Sequence, residues 1–281
     1  MVDLAFAGGD NFERVTLPFL EALGDRLAIW IDHHEHPVGW ARVRGDPRFL
    51  LVPNREAHAC PELVTPEVVK RAGLVDVVVA HADLDGLLSA VKFLRGGHSP
   101  WPEADEDARA SDSPGRGHAI TEFGRLLQDS LGEAQASLRT KQRETLRQDL
   151  LSALVALPKP LPAALRARMV QLANDHAKTV APARELAAQA REEAKGVLVV
   201  RVPKDLGRTL KKELLFLLEE RAKVGVVVEG KAITAATFQE SIDLSRCEAL
   251  SAGRSDYRFA QIDDDGREII ARLGRLAAEA G

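Results

Sequence analysis

The sequence of 281 residues has few cysteines and few aromatic side chains. Its two cysteines, Cys60 and Cys247, are too few and too far apart for a disulfide framework or a thiolate zinc site, which favours a reducing cytoplasm. Only 5% of the residues are aromatic. This argues against a groove in which a long single strand stacks on successive rings.

Long apolar runs are also missing. No stretch approaches the ~18 apolar residues of a membrane-spanning helix, and the opening MVDLAFAGGD lacks the basic and apolar segments of a signal peptide. We therefore expect no membrane partner. The net charge of −4 makes long duplex nucleic acid an unexpected ligand, since binding along DNA requires an excess of Lys and Arg.

The chain has a globular composition, with 45% hydrophobic and 28% charged residues. In its N-terminal part, helical stretches alternate with four apolar runs, DLAFAG, RLAIWI, FLLV and LVDVVVA. Such runs predict an α/β fold, with a parallel sheet that carries helices on both faces. Sheets of this type bind their ligands at the carboxyl ends of the strands.

Three parts are predicted along the chain. Residues 1–117 form the domain with the chemically active side chains, and this domain ends in a polar loop that begins at Ser99. Residues 118–195 form a helical connector, which is interrupted by prolines near Pro158. Residues 196–281 form a smaller α/β lobe, with strands GVLVVRV, VGVVVEG, ITAATF and YRFAQI before a final helix. The sequence leaves the oligomeric state open.

One cluster of polar residues, Asp32-His33-His34, follows the apolar run RLAIWI. A lone Asp10 ends the first run, whereas Asp3 is expected only to start it. Because parallel strands end at one edge of the sheet, these side chains should lie close together.

A second cluster, HADLDG, follows the run LVDVVVA. His81, Asp83 and Asp85 alternate along it, so an extended backbone places them on one face, and Gly86 allows a sharp turn into the next helix. With the first cluster they make a site rich in carboxylates and imidazoles. So much negative charge is costly without cations. This mixed ligand set suits Mn²⁺, Mg²⁺, Fe²⁺ or Zn²⁺, and its many carboxylates favour Mn²⁺ or Mg²⁺.

Together the two clusters resemble the signatures of the DHH phosphoesterase superfamily. That group includes RecJ-like exonucleases, oligoribonucleases, cyclic-dinucleotide phosphodiesterases and family II pyrophosphatases. The resemblance implies two divalent ions, with Mn²⁺ favoured over Mg²⁺, and it implies metal ligands at Asp10, His33, His81, Asp83 and Asp85. In this reading Asp10 bridges the ions. Asp32 and His34 take the catalytic positions, where they orient ligands and meet the substrate phosphate.

The order of the motifs departs from the family, because DHH precedes HxDxDG in this chain. We interpret the order as a circular permutation, which is compatible with ligands that meet only in space. Permutation obscures the fourth motif. Asp112, in the segment SDSPGRG, is our prediction for the last metal ligand, with Asp105 and Asp107 as competitors.

The C-terminal lobe resembles the DHHA1 lobe of the family without its glycine-rich substrate loop. The nearest segment, LSAGRSDYRF, offers Arg254, Ser255 and Arg258 as candidate substrate contacts. The resemblance implies hydrolysis of a phosphodiester or phosphomonoester in a small nucleotide, such as a short oligonucleotide or a cyclic dinucleotide. Two alternatives stay open, namely a RecJ-like single-strand exonuclease and a catalytically inactive relative that senses a nucleotide.

Overall fold

The structure is a computed structural model that describes residues 1–8, 11–113, 117–202, 206–250, 252–253, 257–262 and 264–280. It contains two compact units. The first unit comprises residues 1–113 and 117–173, and the second begins at Asn174. The helices between residues 118 and 173, expected as a separate connector, therefore group with the first unit.

The first unit contains a small parallel sheet. Strands β1 (Trp30–Asp32) and β2 (Phe49–Leu51) pair in parallel, and Val2 bridges Ile31 on one side and Ala80 on the other, also in parallel. The order across the sheet is therefore β2, β1, the Val2 segment and the Ala80 segment. This arrangement confirms the predicted parallel sheet.

Two of the predicted strands are present only as isolated β-bridges, at Val2, which precedes DLAFAG, and at Ala80, the last residue of LVDVVVA. Among the described residues, the run LVDVVVA pairs with the Val2 segment alone, and that segment turns away at once because Asp3 has a positive φ of 51°. Beyond the hydrogen bond from the Val2 amide to the Val79 carbonyl at 2.9 Å, no ladder of backbone hydrogen bonds forms along this run within the part of the chain that the structure describes, and the run stays irregular. Val77 is accordingly 72% exposed. Apolar composition alone did not reveal that the neighbouring strand was missing.

Eight α-helices belong wholly or mainly to the described part of the first unit. A π-helical turn, Phe12–Thr16, leads into the first of them. The helices are α1 (Leu17–Leu23), α2 (Pro37–Arg42), α3 (Pro66–Ala72), α4 (Leu84–Leu94), α5 (Ala104–Asp112), α6 (Glu122–Ser137), α7 (Thr140–Val155) and α8 (Ala163–Val180).

Helix α5 corrects the prediction of a loop after Ser99. The acidic residues Asp105, Glu106 and Asp107 suggested a solvated loop, but they occupy the first helical turn. Negative charge is favourable there because it complements the helix dipole. Asp112, expected in a glycine-rich turn, is the last residue of this helix.

Helix α4 is the centre of the first unit, and its side chains from Leu84 to Phe93 are buried all round. Leu84, Leu87, Leu88 and Val91 belong to a core shared with α6, α7 and α8. Ala90 and Phe93 belong to a second core with residues of the sheet. A helix buried on all sides has little freedom to shift, so its first turn is a rigid support for functional side chains.

The second unit is a six-stranded sheet flanked by helices. Its strand order is β3-β4-β5-β6-β8-β7, in which only β4 and β5 pair in parallel. The strands are β3 (Arg191–Ala194), β4 (Val197–Val202), β5 (Val224–Glu229), β6 (Ala232–Ala236), β7 (Ala252–Gly253) and β8 (Tyr257–Gln261), and the helices are α9 (Pro182–Ala188), α10 (Arg208–Glu219) and α11 (Arg267–Glu279).

The strands and the final helix predicted for this lobe coincide with β4, β5, β6, β8 and α11. Strand β3 falls where the sequence predicted helix, because it pairs antiparallel with β4 across a tight turn. The second unit has two hydrophobic cores. One includes residues of α11, and the other includes residues of α10. Among the described residues, no helix is long and apolar enough to span a membrane.

A buried carboxylate, Asp107, connects α5 to α6. It accepts hydrogen bonds from Trp101 Nε1 at 2.9 Å, from the Thr121 amide at 2.5 Å and from the Thr121 hydroxyl at 2.7 Å. A Cβ placed on Gly124 would lie 2.3 Å from the carboxyl carbon of Asp107. Gly124 is therefore required by the close approach of this carboxylate.

We expect Gly124→Ala to lower the free energy of unfolding by about 1–3 kcal/mol, because Asp107 must move and weaken its hydrogen bonds. Urea unfolding followed by circular dichroism measures this change. Gly8→Ala is the matched control, since a Cβ there meets nothing within 4 Å. Equal stability of the two variants would contradict this role of Gly124.

Candidate metal centre

Asp3 lies at the end of the short first segment of the sheet. Its amide donates to the Ile31 carbonyl at 2.9 Å, and its φ of 51° is uncommon for a residue with a side chain. Its carboxylate is buried, and neither oxygen has a hydrogen-bond partner among the described residues. A strained backbone and an unsatisfied buried carboxylate are typical of a functional position.

His33 follows β1 and is fully buried. Its Nδ1 lies 3.0 Å from the Ala57 carbonyl, which can only accept, so Nδ1 carries the proton of the neutral ring. Nε2 therefore keeps its lone pair. This nitrogen lies 3.1 Å from Asp85, 3.5 Å from Asp3 and 3.6 Å from Asp112. A backbone carbonyl behind the ring is the usual support of a metal-binding histidine.

Asp32 and His34 lie beside His33. The buried Asp32 carboxylate contacts His34 Nδ1 at 2.8 Å with one oxygen, and its other oxygen has no partner in the described part of the chain. His34 also lies 3.6 Å from Asp3, and 26% of its side chain is exposed. Asp32 therefore orients a histidine that reaches both the carboxylates and solvent.

The HADLDG cluster leads into α4. Asp83 is the N-cap of the helix, where it accepts from the Gly86 amide at 3.0 Å and contacts His81 Nδ1 at 2.6 Å. Gly86 is needed for space, because an added Cβ would lie 2.4 Å from the His81 carbonyl oxygen. His81 and Asp83 are about half exposed.

Asp85 is buried in the first turn of α4. Both of its oxygens lie 3.1 Å from the Cys60 amide, which fixes the carboxylate facing His33. Burial raises the pKa of Asp85 well above its usual value, and the nearby Asp3 charge adds to this increase. Burial also raises the pKa of Asp3, although His33 opposes the change.

His33 shows the complementary effect. Burial by itself lowers its pKa, but contacts with Asp3 and Asp85 outweigh burial and raise the pKa to about 12. The pKa of His34 is also raised, because Asp32 and Asp3 outweigh the effect of burial. Protons thus balance part of the carboxylate charge whenever no cation does so.

Asp112 is the only one of the three candidates for the last ligand that reaches His33. Asp105 contacts the buried Lys92 and Ser99, and Asp107 binds Trp101 and Thr121. Asp105 and Asp107 therefore make hydrogen bonds that hold parts of the first unit together, away from His33. The sequence of α5 did not distinguish the three aspartates, because all of them lie in one acidic segment.

Three groups of side chains offer ligand atoms within 4.8 Å of one another. They are Asp3-His81-Asp83, His33-Asp85-Asp112 and Asp3-His33-His34. Asp3 and His33 each lie in two of the groups, so Asp3 is a candidate for the bridging position that we predicted for Asp10, which lies outside the described residues. The unpartnered atoms, Asp3 Oδ1 and Oδ2, Asp32 Oδ2 and His33 Nε2, fit a site that holds cations.

Asp3, which we expected only to start a strand, has its side chain within this cluster. Asp10, Arg254 and Ser255 lie outside the described residues. Arg258 lies on β8, where its Nε donates to the Leu250 carbonyl at 2.7 Å. The supports supplied by the Ala57 carbonyl and the Cys60 amide had no sequence signal, since they are backbone groups.

No model of a known protein family matches the sequence, and no curated protein matches it. Among solved structures, a pGpG-specific phosphodiesterase, PggH from Vibrio cholerae, is similar to this chain with a TM-score of 0.52. The identity is 11%, and the match covers 89% of this chain and 79% of that one. At this identity the similarity establishes the fold alone.

Two RecJ structures are also similar. An exonuclease RecJ bound to manganese has a TM-score of 0.49 and 15% identity, covering 99% of this chain and 74% of that one. RecJ from Thermus thermophilus in complex with Mn²⁺ has a TM-score of 0.48 and 16% identity, covering 99% of this chain and 44% of that one. PggH, a member of the DHH superfamily, supports the DHH-like fold that the motifs predicted.

The raised pKa values predict how stability depends on pH without metal. A group whose pKa rises on folding stabilises the fold below its unfolded pKa and loses this contribution as the pH rises toward the folded value. For His33 this window runs from 6.5 to about 12. We expect the free energy of unfolding in EDTA to fall between about pH 6.5 and 9.

Urea unfolding at several pH values tests this expectation. His33→Gln should flatten the decrease, whereas His98→Gln, at a histidine outside the centre, should leave it unchanged. Saturating Mn²⁺ should reduce the decrease, because the ion takes the place of the protons. A metal-free protein that becomes more stable over this pH range would contradict the expectation.

Proposed function

We propose that the chain is a two-metal phosphoesterase that hydrolyses small nucleotides. The observation that carries the proposal is the convergence of unpartnered buried carboxylate and imidazole atoms at the ends of the parallel segments. Buried carboxylates that lie so near one another are unfavourable unless cations neutralise their charge. A fold shared with a phosphodiesterase agrees with this chemistry.

The side chains divide into two ligand sets. Asp3, His81 and Asp83 would hold one divalent ion, and His33, Asp85 and Asp112 the other; Asp3 Oδ1 also lies 3.5 Å from His33 Nε2, so Asp3 is close to both sets. Carboxylates outnumber imidazoles in both sets, which favours Mn²⁺ or Mg²⁺ over softer ions. The two ions would neutralise charge on the phosphoryl oxygens and would favour loss of a proton from water, which gives the hydroxide that attacks phosphorus.

The chain itself positions the reacting groups. Asp32 accepts from His34 Nδ1, which fixes the ring and stabilises its protonated form. His34 can then donate from Nε2 to a phosphate oxygen, and its 26% exposure leaves it open to a substrate. Ala57 and Cys60 hold His33 and Asp85 from behind, so the ligands are in place before an ion binds.

The substrate class follows from size and charge. The acidic chain and its low aromatic content disfavour long strands, and PggH is described as specific for the dinucleotide pGpG. We therefore propose a short oligonucleotide or a cyclic dinucleotide as substrate. Arg258, with Arg254 and Ser255, remains our proposal for contacts of the second unit to this substrate.

We expect the purified protein with Mn²⁺ to hydrolyse bis-p-nitrophenyl phosphate and dinucleotides. His33→Ala and Asp85→Asn should each reduce kcat/KM at least about 100-fold, since two-metal stabilisation amounts to several kcal/mol. Asp76→Asn, an exposed carboxylate outside the centre, should retain activity. Circular dichroism verifies that the variants are folded.

Two outcomes would point to other functions. A folded protein that binds two ions but hydrolyses none of these compounds would favour the nucleotide-sensing relative. Preference for long single-stranded DNA over dinucleotides, by more than about tenfold in kcat/KM, would favour the RecJ-like exonuclease.

The shared position of Asp3 gives a further prediction. Asp3→Asn should weaken binding of both ions and lower kcat at least about 100-fold, because a bridging carboxylate serves each ligand set. Asp10→Asn should change both quantities less than about threefold if Asp3 alone bridges. Isothermal titration with Mn²⁺, together with steady-state kinetics, compares the two variants. The reverse pattern would restore Asp10 as the bridging residue.

A further inference from the structure

A cavity of about 450 Å³ lies between α2 and β2. Its volume falls in the range of ~300–1,000 Å³ that is usual for small-molecule sites. Apolar side chains and a few charged ones line it. They include Trp40, Val43, Phe49, Leu51, Glu35 and Arg44.

The cavity lies beside the metal centre. Leu51 in its wall pairs with Asp32 across the parallel register, so one strand spacing, ~4.8 Å, separates this wall from the end of β1. Glu35, another lining residue, directly follows His34. A molecule with its phosphate at the metal centre could therefore extend into the cavity.

Trp40 differs from the other two tryptophans of the chain. The indole N–H groups of Trp30 and Trp101 donate at 2.9 Å to the Leu4 carbonyl and to Asp107, respectively. Trp40 Nε1 is buried and has no hydrogen-bond partner among the described residues. Because Nε1 is enclosed by the chain, Trp40 offers the face of its indole ring, and not its N–H, to a molecule in the cavity.

The lining favours a flat ring over a second phosphate. Phe49 and Leu51 provide apolar surface, and Trp40 provides an aromatic face for stacking. Glu35 and Asp46 place carboxylates at the cavity, and Asp46 already pairs with Arg48 at 2.7 Å. Arg44 adds a positive charge to the same lining, so the charged groups give no net preference for a phosphate, whereas a base can stack on the aromatic side chains.

Helix α2 is fixed in place, so the cavity is preformed. His36 accepts from the Gly39 amide at 2.9 Å, and its other ring nitrogen lies 3.0 Å from the Ala7 carbonyl. A Cβ on Gly39 would lie 2.5 Å from Phe6, which shows how closely the helix packs on the aromatic core. A rigid site loses little entropy when it binds a ligand.

We propose that this cavity binds the nucleobase next to the scissile phosphate, with Trp40 supplying the ring face on which the base stacks. The inference rests on the proposed phosphoesterase function for the identity of the substrate. It would make Trp40 a residue that determines specificity. The cavity would select nucleotides over simple phosphate esters.

Binding is tested without metal, so that it does not depend on activity. Guanosine, adenosine, cytidine and uridine are titrated in EDTA, with ribose as the control, and the three indole N–H resonances are followed by ¹⁵N NMR. Trp40→Phe assigns the Trp40 signal. We expect at least one nucleoside to shift this signal while those of Trp30 and Trp101 stay in place, and ribose to shift none.

Kinetics provide the second readout. Trp40→Ala should raise KM for a dinucleotide about 10- to 100-fold, the loss expected for one stacked base, and Ala41→Phe, which fills the cavity, should do the same. Neither should change kcat for the dinucleotide more than about twofold, because stacking that is equal in the ground state and the transition state affects KM alone. Val38→Ala is the matched control, because Val38 lies on α2, is 61% exposed and does not line the cavity.

The results separate this inference from the proposed function. Active protein with no nucleoside-dependent shift, and with unchanged KM in both cavity variants, would overturn the base site. A nucleoside-dependent shift in a protein that hydrolyses nothing would support the base site and overturn the phosphoesterase.

Discussion

The main physical constraint on the first unit is the negative charge of the buried carboxylates around His33, which must be balanced. Asp3 and Asp85 are almost fully buried within reach of one imidazole, and Asp112 lies beside them. No packing arrangement removes the cost of such charges, so protons or cations must balance them. The raised pKa values of His33 and Asp85 express the same constraint in the metal-free chain.

Rigid surroundings keep these charges together. Asp83 and Asp85 start a helix that is buried on every side, and Asp32 ends a strand within the parallel sheet. The carboxylates therefore cannot move apart to relieve their repulsion. Two backbone groups, the Ala57 carbonyl and the Cys60 amide, set the orientation of His33 and Asp85, respectively. A preorganised site of this kind would bind ions without rearranging.

Metal centre and cavity share one edge of the sheet, and this follows from the topology. Parallel segments end on the same side, so Asp3, Asp32 and Leu51 become neighbours although they are distant in sequence. The order of the motifs along the chain is unimportant for this geometry. A circular permutation, which remains our interpretation of that order, would leave the meeting point of the ligands unchanged.

The sequence by itself determined the chemistry of the centre and the class of the fold. Asp32-His33-His34 and HADLDG are local patterns, and the apolar runs before them indicate strand ends directly. Tertiary structure alone decided which isolated carboxylates join them. Asp3 looked like a strand start, and Asp112 looked no different from Asp105 and Asp107, because the choice depends on long-range neighbours such as Lys92 and Thr121. The unpartnered indole of Trp40 is equally invisible in sequence, since hydrogen bonding is a property of the folded chain.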